Sequence, residues 1–458
     1  MNARAANDLT QGSINSHIAR MTGMMLFGML FQSLYYLVDL YFVAKVGPQA
    51  VAAVSLVGNL MMITVALTQA LTVGTTSLIA QAIGRKDVDA ARRVFNQSQV
   101  LATAAGLVFI GVIFSVRDRF AVGLSADEGT AQAAVAYLDW FVPAMGLQFL
   151  MVAMGAALRG AGEVKAPMQV AVISLVANIV LAPVLIAGYG TGHPMGVAGA
   201  GLATFLSVVL SAVLLLTWVR RRHDLLDLDA GMMRPDLALW RRMLGIGLPS
   251  GAEFLLLSAY SMLIYALIKS FGTSAQAGFG VGMRIMQTGF MPALAVAFSI
   301  APIAGQNLGA GRVERVREVF KSGVVWVSLL MIVFIGLVHL APNALLAPFA
   351  KDPAVIAVGA QMLAILSTNF LTSGVIQVAS GMFQAIGNTL PSLIASASRI
   401  GLFVAPAMWL SRQPDFQLTQ LWWLSVASVI AQLLIVLWLL RREFGRKLAT
   451  VKVAAPAA

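Results

Sequence analysis

Between residues 18 and 440 the chain passes through twelve apolar stretches of 21 to 30 residues, joined by short polar connections. A helix needs roughly 20 apolar residues to cross a hydrocarbon layer about 30 Å thick. In lipid the backbone must satisfy its own hydrogen bonds, and a helix does this within one segment. The stretches lie at 18–45, 49–75, 96–116, 129–156, 165–188, 196–219, 240–269, 275–302, 319–341, 353–382, 389–410 and 417–440. Only 11% of residues are charged and the mean hydropathy is +0.84, whereas a soluble chain carries roughly a quarter charged residues. The sequence predicts an all-α integral membrane protein of twelve transmembrane helices.

Several chemistries are excluded at this stage. Cysteine is absent, which removes disulfides, thiolate nucleophiles and Cys-ligated metals. The four histidines are scattered, none at metal-ligand spacing, and there is no HExxH, GxxxxGK[ST] or GxSxG. No enzyme activity, cofactor or metal is expected, and a transporter without an ATP site must draw on an ion gradient. The first twenty residues are polar, with no signal-peptide pattern, so the first span is expected to insert directly.

The net charge of +12 could point to nucleic acid, but the basic residues cluster in short loops, as topology control in membranes requires. With the N-terminus in the cytoplasm, 23 Lys and Arg fall in cytoplasmic segments and 6 in outer loops, while Arg284 and Arg399 lie within spans. That bias predicts an inner (plasma) membrane protein with both termini cytoplasmic. The densest basic stretch joins spans six and seven. The expected organisation is residues 1–219 as a first six-helix bundle, 220–239 as a cytoplasmic linker and 240–458 as a second bundle.

The two halves are related. "QAIGRKDVDAARRVF" (81–95) resembles "QNLGAGRVERVREVF" (306–320), with Gln81, Gly84 and Phe95 each 225 residues before Gln306, Gly309 and Phe320. The same offset pairs Gly47 with Gly272 and Gly162 with Gly387. Six spans per half is an even number, so the halves are parallel repeats. Secondary transporters are commonly built this way, with the substrate site at the repeat interface.

A charge at bilayer depth is costly and usually functional. The acids well inside spans are Asp39 and Glu253, and the basic residues there are Arg284 and Arg399. Asp39 lies six residues before Lys45, about 9 Å along a helix from the span's outer end. Gln32 and Tyr35 share its helix face, and Asn178 lies in span five. A carboxyl group so placed can take up a proton from one side and release it to the other. Glu253 follows Pro249, which can kink span seven; it then reaches a central cavity or pairs with Arg284. Flexible methionine surfaces suit promiscuous binding, although most of the 23 methionines are read as packing residues.

Four motifs together resemble the multidrug and toxic compound extrusion (MATE) transporters over nearly the full chain. They are "LVDLYFVAKVG" (37–47), "TSLIAQAIGRKD" with its echo "APIAGQNLGAG", "ALRGAGEVKAP" with its echo "FQAIGNTLPS", and "GLPSGAE" opening span seven. The resemblance implies two six-helix bundles forming a V around a central cavity, and export of organic, mostly cationic compounds against protons or sodium. It implies that Asp39 is the cation-coupling residue, with Asn178 and Thr204 at the same site. Gln32, Tyr35, Glu253 and Arg284 are the candidate substrate contacts. Two departures stand out. Ala182 occupies the position where many relatives carry a second acid, which favours protons over sodium because hard cations need several oxygen ligands. Met24 stands where the family often has a first-helix proline. The implied partners are small organic cations and drugs, protons (less readily sodium) and membrane lipids, with the protein acting as a monomer and no nucleic acid involved. A lipid-linked oligosaccharide flippase of the same superfamily is the alternative; it would want a basic cavity, for which Arg284 and Arg399 are the intramembrane candidates.

Overall fold

A computed structural model describes residues 8–125, 127–190, 192–222 and 226–454. The helices of the first half are α1 (Ile14–Ala44), α2 (Pro48–Gly84), α3 (Val88–Leu124), α4 (Glu128–Gly160), α5 (Lys165–Ala187) and α6 (Gly196–Arg222). Those of the second are α7 (Leu237–Ile268), α8 (Thr273–Gly309), α9 (Val313–Leu340), the short α10 (Pro342–Leu346), α11 (Pro353–Leu366), α12 (Asn369–Ile386), α13 (Leu390–Leu410) and α14 (Leu418–Ala454). Eleven are long and apolar enough to cross a membrane, and α11 with α12 make a twelfth span bent by 52°.

That bend departs from the single helix expected over 353–382. The break falls at Ser367 and Thr368, whose hydroxyls bond back to the carbonyls of Ala364 and Ile365. Such local bonds offer the backbone an alternative to the helical ladder. Several other helices outrun their apolar stretches, because capped polar ends extend them past the hydrocarbon. α3 begins at Val88, eight residues before its apolar run, and is capped by Asp87, whose side chain accepts from the Ala90 amide.

The repeat is visible in the element boundaries. α2 and α8 are both 37 residues long and start 225 residues apart, as do the starts of α3 and α9 and of α5 and α13. Gly162 and Gly387, equivalent by that offset, both end a helix with positive φ, 81° and 77°, a conformation in which a side chain would be strained.

The described residues form two compact units. The first is Gly23–Gly251. Its core gathers Phe95, Phe149, Leu138 and Ile79, where α4 packs against α2, α3 and α6. The second takes Leu9–Thr22 and the residues from Ala252 onward. There Phe279 stacks on Trp422 (5.7 Å, 3°) and Phe403 meets Tyr260 edge-on. α1 and α7 therefore each start in one unit and continue in the other.

Polar side chains pin both starts. In the first unit Asn96 donates to the Asp227 carbonyl and accepts from the Asp229 amide. Gln97 donates to the carbonyls of Met232 and Arg234 and accepts from the Asp236 amide and the Trp240 indole. Residues 227–240, which include most of the expected linker's second part, are thus docked on α3. In the second unit Gln306 accepts from the Leu9 amide, Asn307 donates to the Leu9 carbonyl, and Arg315 donates to the Gly12 carbonyl. The Gln of the repeated "Q-x-x-G" motif is here a clamp for the segment that precedes α1.

Candidate functional site in the first unit

The first unit encloses a cavity of about 460 Å³ lined by α1, α2, α4, α5 and α6. Asp39, Gln32, Tyr35 and Thr204 all face it, so four residues singled out in the sequence are brought to one place. Helix periodicity explains how α1 contributes: Gln32, Tyr35 and Asp39 recur at spacings of three and four. Asn178 of α5 is completely buried behind this wall, and its amide donates to the Tyr35 hydroxyl at 3.1 Å.

Three helices deliver oxygens there whose hydrogen bonding is incomplete. Asp39, Asn178 and Thr204 are 7%, 0% and 3% exposed, and the Asp39 Oδ1, Asn178 Oδ1 and Thr204 Oγ1 atoms have no hydrogen-bond partner among the described residues. Leaving one buried polar atom unpaired costs about 1–3 kcal/mol. The three oxygens are buried acceptors on three different helices. Ala182, one turn after Asn178, is fully buried and brings no fourth oxygen.

The other sequence candidates are placed elsewhere. Glu253 of α7 lies in the second unit, where its carboxylate accepts from the Ser396 hydroxyl, which in turn receives a hydrogen bond from Gln432. Arg284 of α8 is exposed, and no ion pair joins it to Glu253 among the described residues. Of the two alternatives for Glu253, the pair with Arg284 is not formed, and a hydroxyl–amide network holds the carboxylate instead. Arg399 stacks its guanidinium on the Tyr260 ring at 4.6 Å, which lets a cation sit beside apolar neighbours. Asp139 of α4 pairs with Arg117.

One cavity residue was missed. Arg159 was counted with the loop after an apolar run ending at 156, but α4 continues to Gly160 and carries Arg159 into the cavity wall. A signal existed in the sequence: Arg159 continues the series Tyr137, Phe141, Met145, Gln148, Met151 and Gly155, all on the cavity face at helical spacing. Among the described residues, Asp39 and Arg159 are the two charged ones that line this cavity.

A multi-span helical chain with paired halves and a buried acid facing an internal cavity is of the membrane-transporter class. The chain belongs to the MatE family, whose profile matches residues 25–184 and 249–410. Its curated relatives include the probable multidrug resistance protein YoeA of Bacillus subtilis, 27% identical with 85% of this chain and 86% of that protein covered. Another is the probable multidrug resistance protein NorM of Thermotoga maritima, also 27% identical, with 84% and 81% covered. Among solved structures, a MATE in the bent conformation superposes with a TM-score of 0.90 at 25% identity, covering 98% of this chain and 99% of that one.

Proposed function

We propose that the protein is a secondary active multidrug exporter of the inner membrane, with both termini cytoplasmic, that exchanges organic, mostly cationic compounds for protons by alternating access of its two halves. The halves act as bundles 1–219 and 240–458, joined through 220–239. The observation that carries this reading is the set of unpaired buried oxygens on Asp39, Asn178 and Thr204 beside a cavity of drug-sized volume. The names of the relatives, multidrug resistance proteins, support the substrate class.

Asp39 supplies the coupling. A proton arriving from outside neutralises it, weakens the hold on a cationic substrate and favours the inward-facing state. Release of the proton to the cytoplasm restores the anion and resets the site. Proton and substrate compete through one carboxylate, so each is exported or admitted at the other's expense. Gln32 and Tyr35 contact the substrate in the first bundle, and Glu253 and Arg284 do so in the second. Protons are favoured over sodium because Ala182 removes one carboxylate, and a hard cation prefers several oxygens.

Dye efflux from reconstituted vesicles with imposed gradients tests this. Transport on a proton gradient at equal sodium is the expected result. Robust transport on a sodium gradient at equal pH, with none on a proton gradient, would overturn the coupling assignment.

A further inference from the structure

The guanidinium of Arg159 is the group in the first unit that the coupling scheme leaves unused. It is half-buried in the last turn of α4, it lines the cavity, and it makes no hydrogen bond or ion pair among the described residues. A guanidinium withdrawn into a cavity wall costs free energy unless it is paired.

Two structural roles can be set aside. An arginine in a last helical turn often serves the terminal carbonyls. Here backbone amides already do so: Ala161 donates to Ala157, Gly162 to Arg159 and Glu163 to Leu158. Nor does the repeat require a charge at this position. The residue 225 further on is Gln384, a neutral amide, in a helix that ends at an equivalent left-handed glycine. The same local structure is thus built in the second half without a guanidinium.

We infer that Arg159 forms an anion-recognition subsite at the end of the first-unit cavity opposite Asp39, and that the cavity takes aromatic compounds carrying a carboxylate as well as plain cations. This rests on the reading of the protein as an exporter of organic compounds. The face of α4 that lines the cavity runs 22 residues from Tyr137 to Arg159, about 33 Å at 1.5 Å per residue. α1 and α4 run in opposite directions, so Asp39, near the end of α1, lies toward the Tyr137 end. The cavity therefore carries opposite charges at its two ends, and a drug-sized molecule on Arg159 leaves Asp39 free to exchange its proton. Met151, Val152, Pro167 and Ala171, from the part of α4 and the start of α5 nearest Arg159 in the chain, are apolar lining residues of the cavity for the aromatic body of the ligand. The planar fork of arginine matches a carboxylate with two parallel hydrogen bonds.

The test uses full-length protein in detergent, titrated with a rhodamine bearing a free carboxylate and with the ethyl ester of the same dye. Arg159→Gln should lower the carboxylate-to-ester affinity ratio by about ten-fold, the loss of one charge-assisted contact, and Arg159→Lys should retain most of it. An equal loss for both dyes, or an unchanged ratio, overturns the proposal. So does an unchanged ratio accompanied by loss of bound anionic phospholipid, which would assign the guanidinium to a lipid. If Arg159→Gln does not fold, the parent decides the matter: naphthoate should displace the carboxylate dye, and naphthamide should not. Equal displacement by the two would refute the subsite. The ratio is read at equilibrium, so it is separate from gradient-driven efflux of the ester dye, whose absence would refute the export reading instead.

Discussion

The wall that presents the cavity face of α4 depends on a close crossing with α3, and one methyl group can test it. Gly106 of α3 is buried against Gly146 of α4. A Cβ at Gly106 would lie 3.2 Å from the Gly146 carbonyl carbon and 3.5 Å from its Cα, and closer still to the carbonyl oxygen. The obstacle is backbone, so no rotamer change relieves the overlap and the two helices must separate. Overpacking of this kind costs about 1–3 kcal/mol. Gly111, five residues further along α3, is exposed and has nothing within 4 Å of its own added Cβ. Alanine at either site gains the same helix propensity, about 1 kcal/mol. Gly111→Ala should therefore be neutral or up to about 1 kcal/mol more stable. Gly106→Ala should fall below it by the packing cost alone, about 1–3 kcal/mol. Met145 and Gln148, beside Gly146, line the cavity, so efflux should fall in the Gly106 variant and not in the Gly111 one. Unfolding of both proteins in the same detergent, followed by ellipticity, measures the difference. Equal stability of the two variants would refute the close-crossing argument.

Asp39→Asn should give a protein that expresses and unfolds much like the parent, because size and polarity are kept, but gradient-driven efflux should be lost; full efflux would move the coupling to another acid, with Glu253 next. Glu253→Gln should weaken monovalent cationic dyes more than neutral ones in equilibrium binding, and unchanged affinity with an altered pH response of efflux would make Glu253 a second coupling site. Asp236 lies before α7, where the Leu239 amide first and then the Arg93 guanidinium, together outweighing desolvation, hold its carboxyl below the usual carboxylate range. A depressed value means that its contribution is present at neutral pH and lost as acid protonates the folded form. Proteolysis of residues 227–240 should therefore rise below about pH 4 in the parent, and Asp236→Asn should show that susceptibility already at neutral pH; a pH-independent cleavage rate in the parent would count against this account.

The number of spans, the repeat and the acid in the first helix could be read from the chain because each is a local property. Hydropathy over some twenty residues reports whether a segment prefers lipid, and a fixed offset of 225 residues reports duplication, with no knowledge of contacts. The grouping of Gln32, Tyr35 and Asp39 followed from helical spacing alone. The break between α11 and α12 was written in "LSTN", yet hydropathy averaged it away. Other features were decided only in three dimensions. Asn96 and Gln97 look like ordinary amides near a helix start until they meet residues more than 130 positions away. Glu253 and Arg284 are opposite charges in successive spans, but pairing needs a shared face, and the fold gave Glu253 a serine instead. Arg159 sits where a positive charge satisfies the topology rule whether it points to water or into the protein. Composition fixes how many charges a membrane segment can tolerate, while the partner of each charge is set by which helix faces come together, and that is a property of the whole chain.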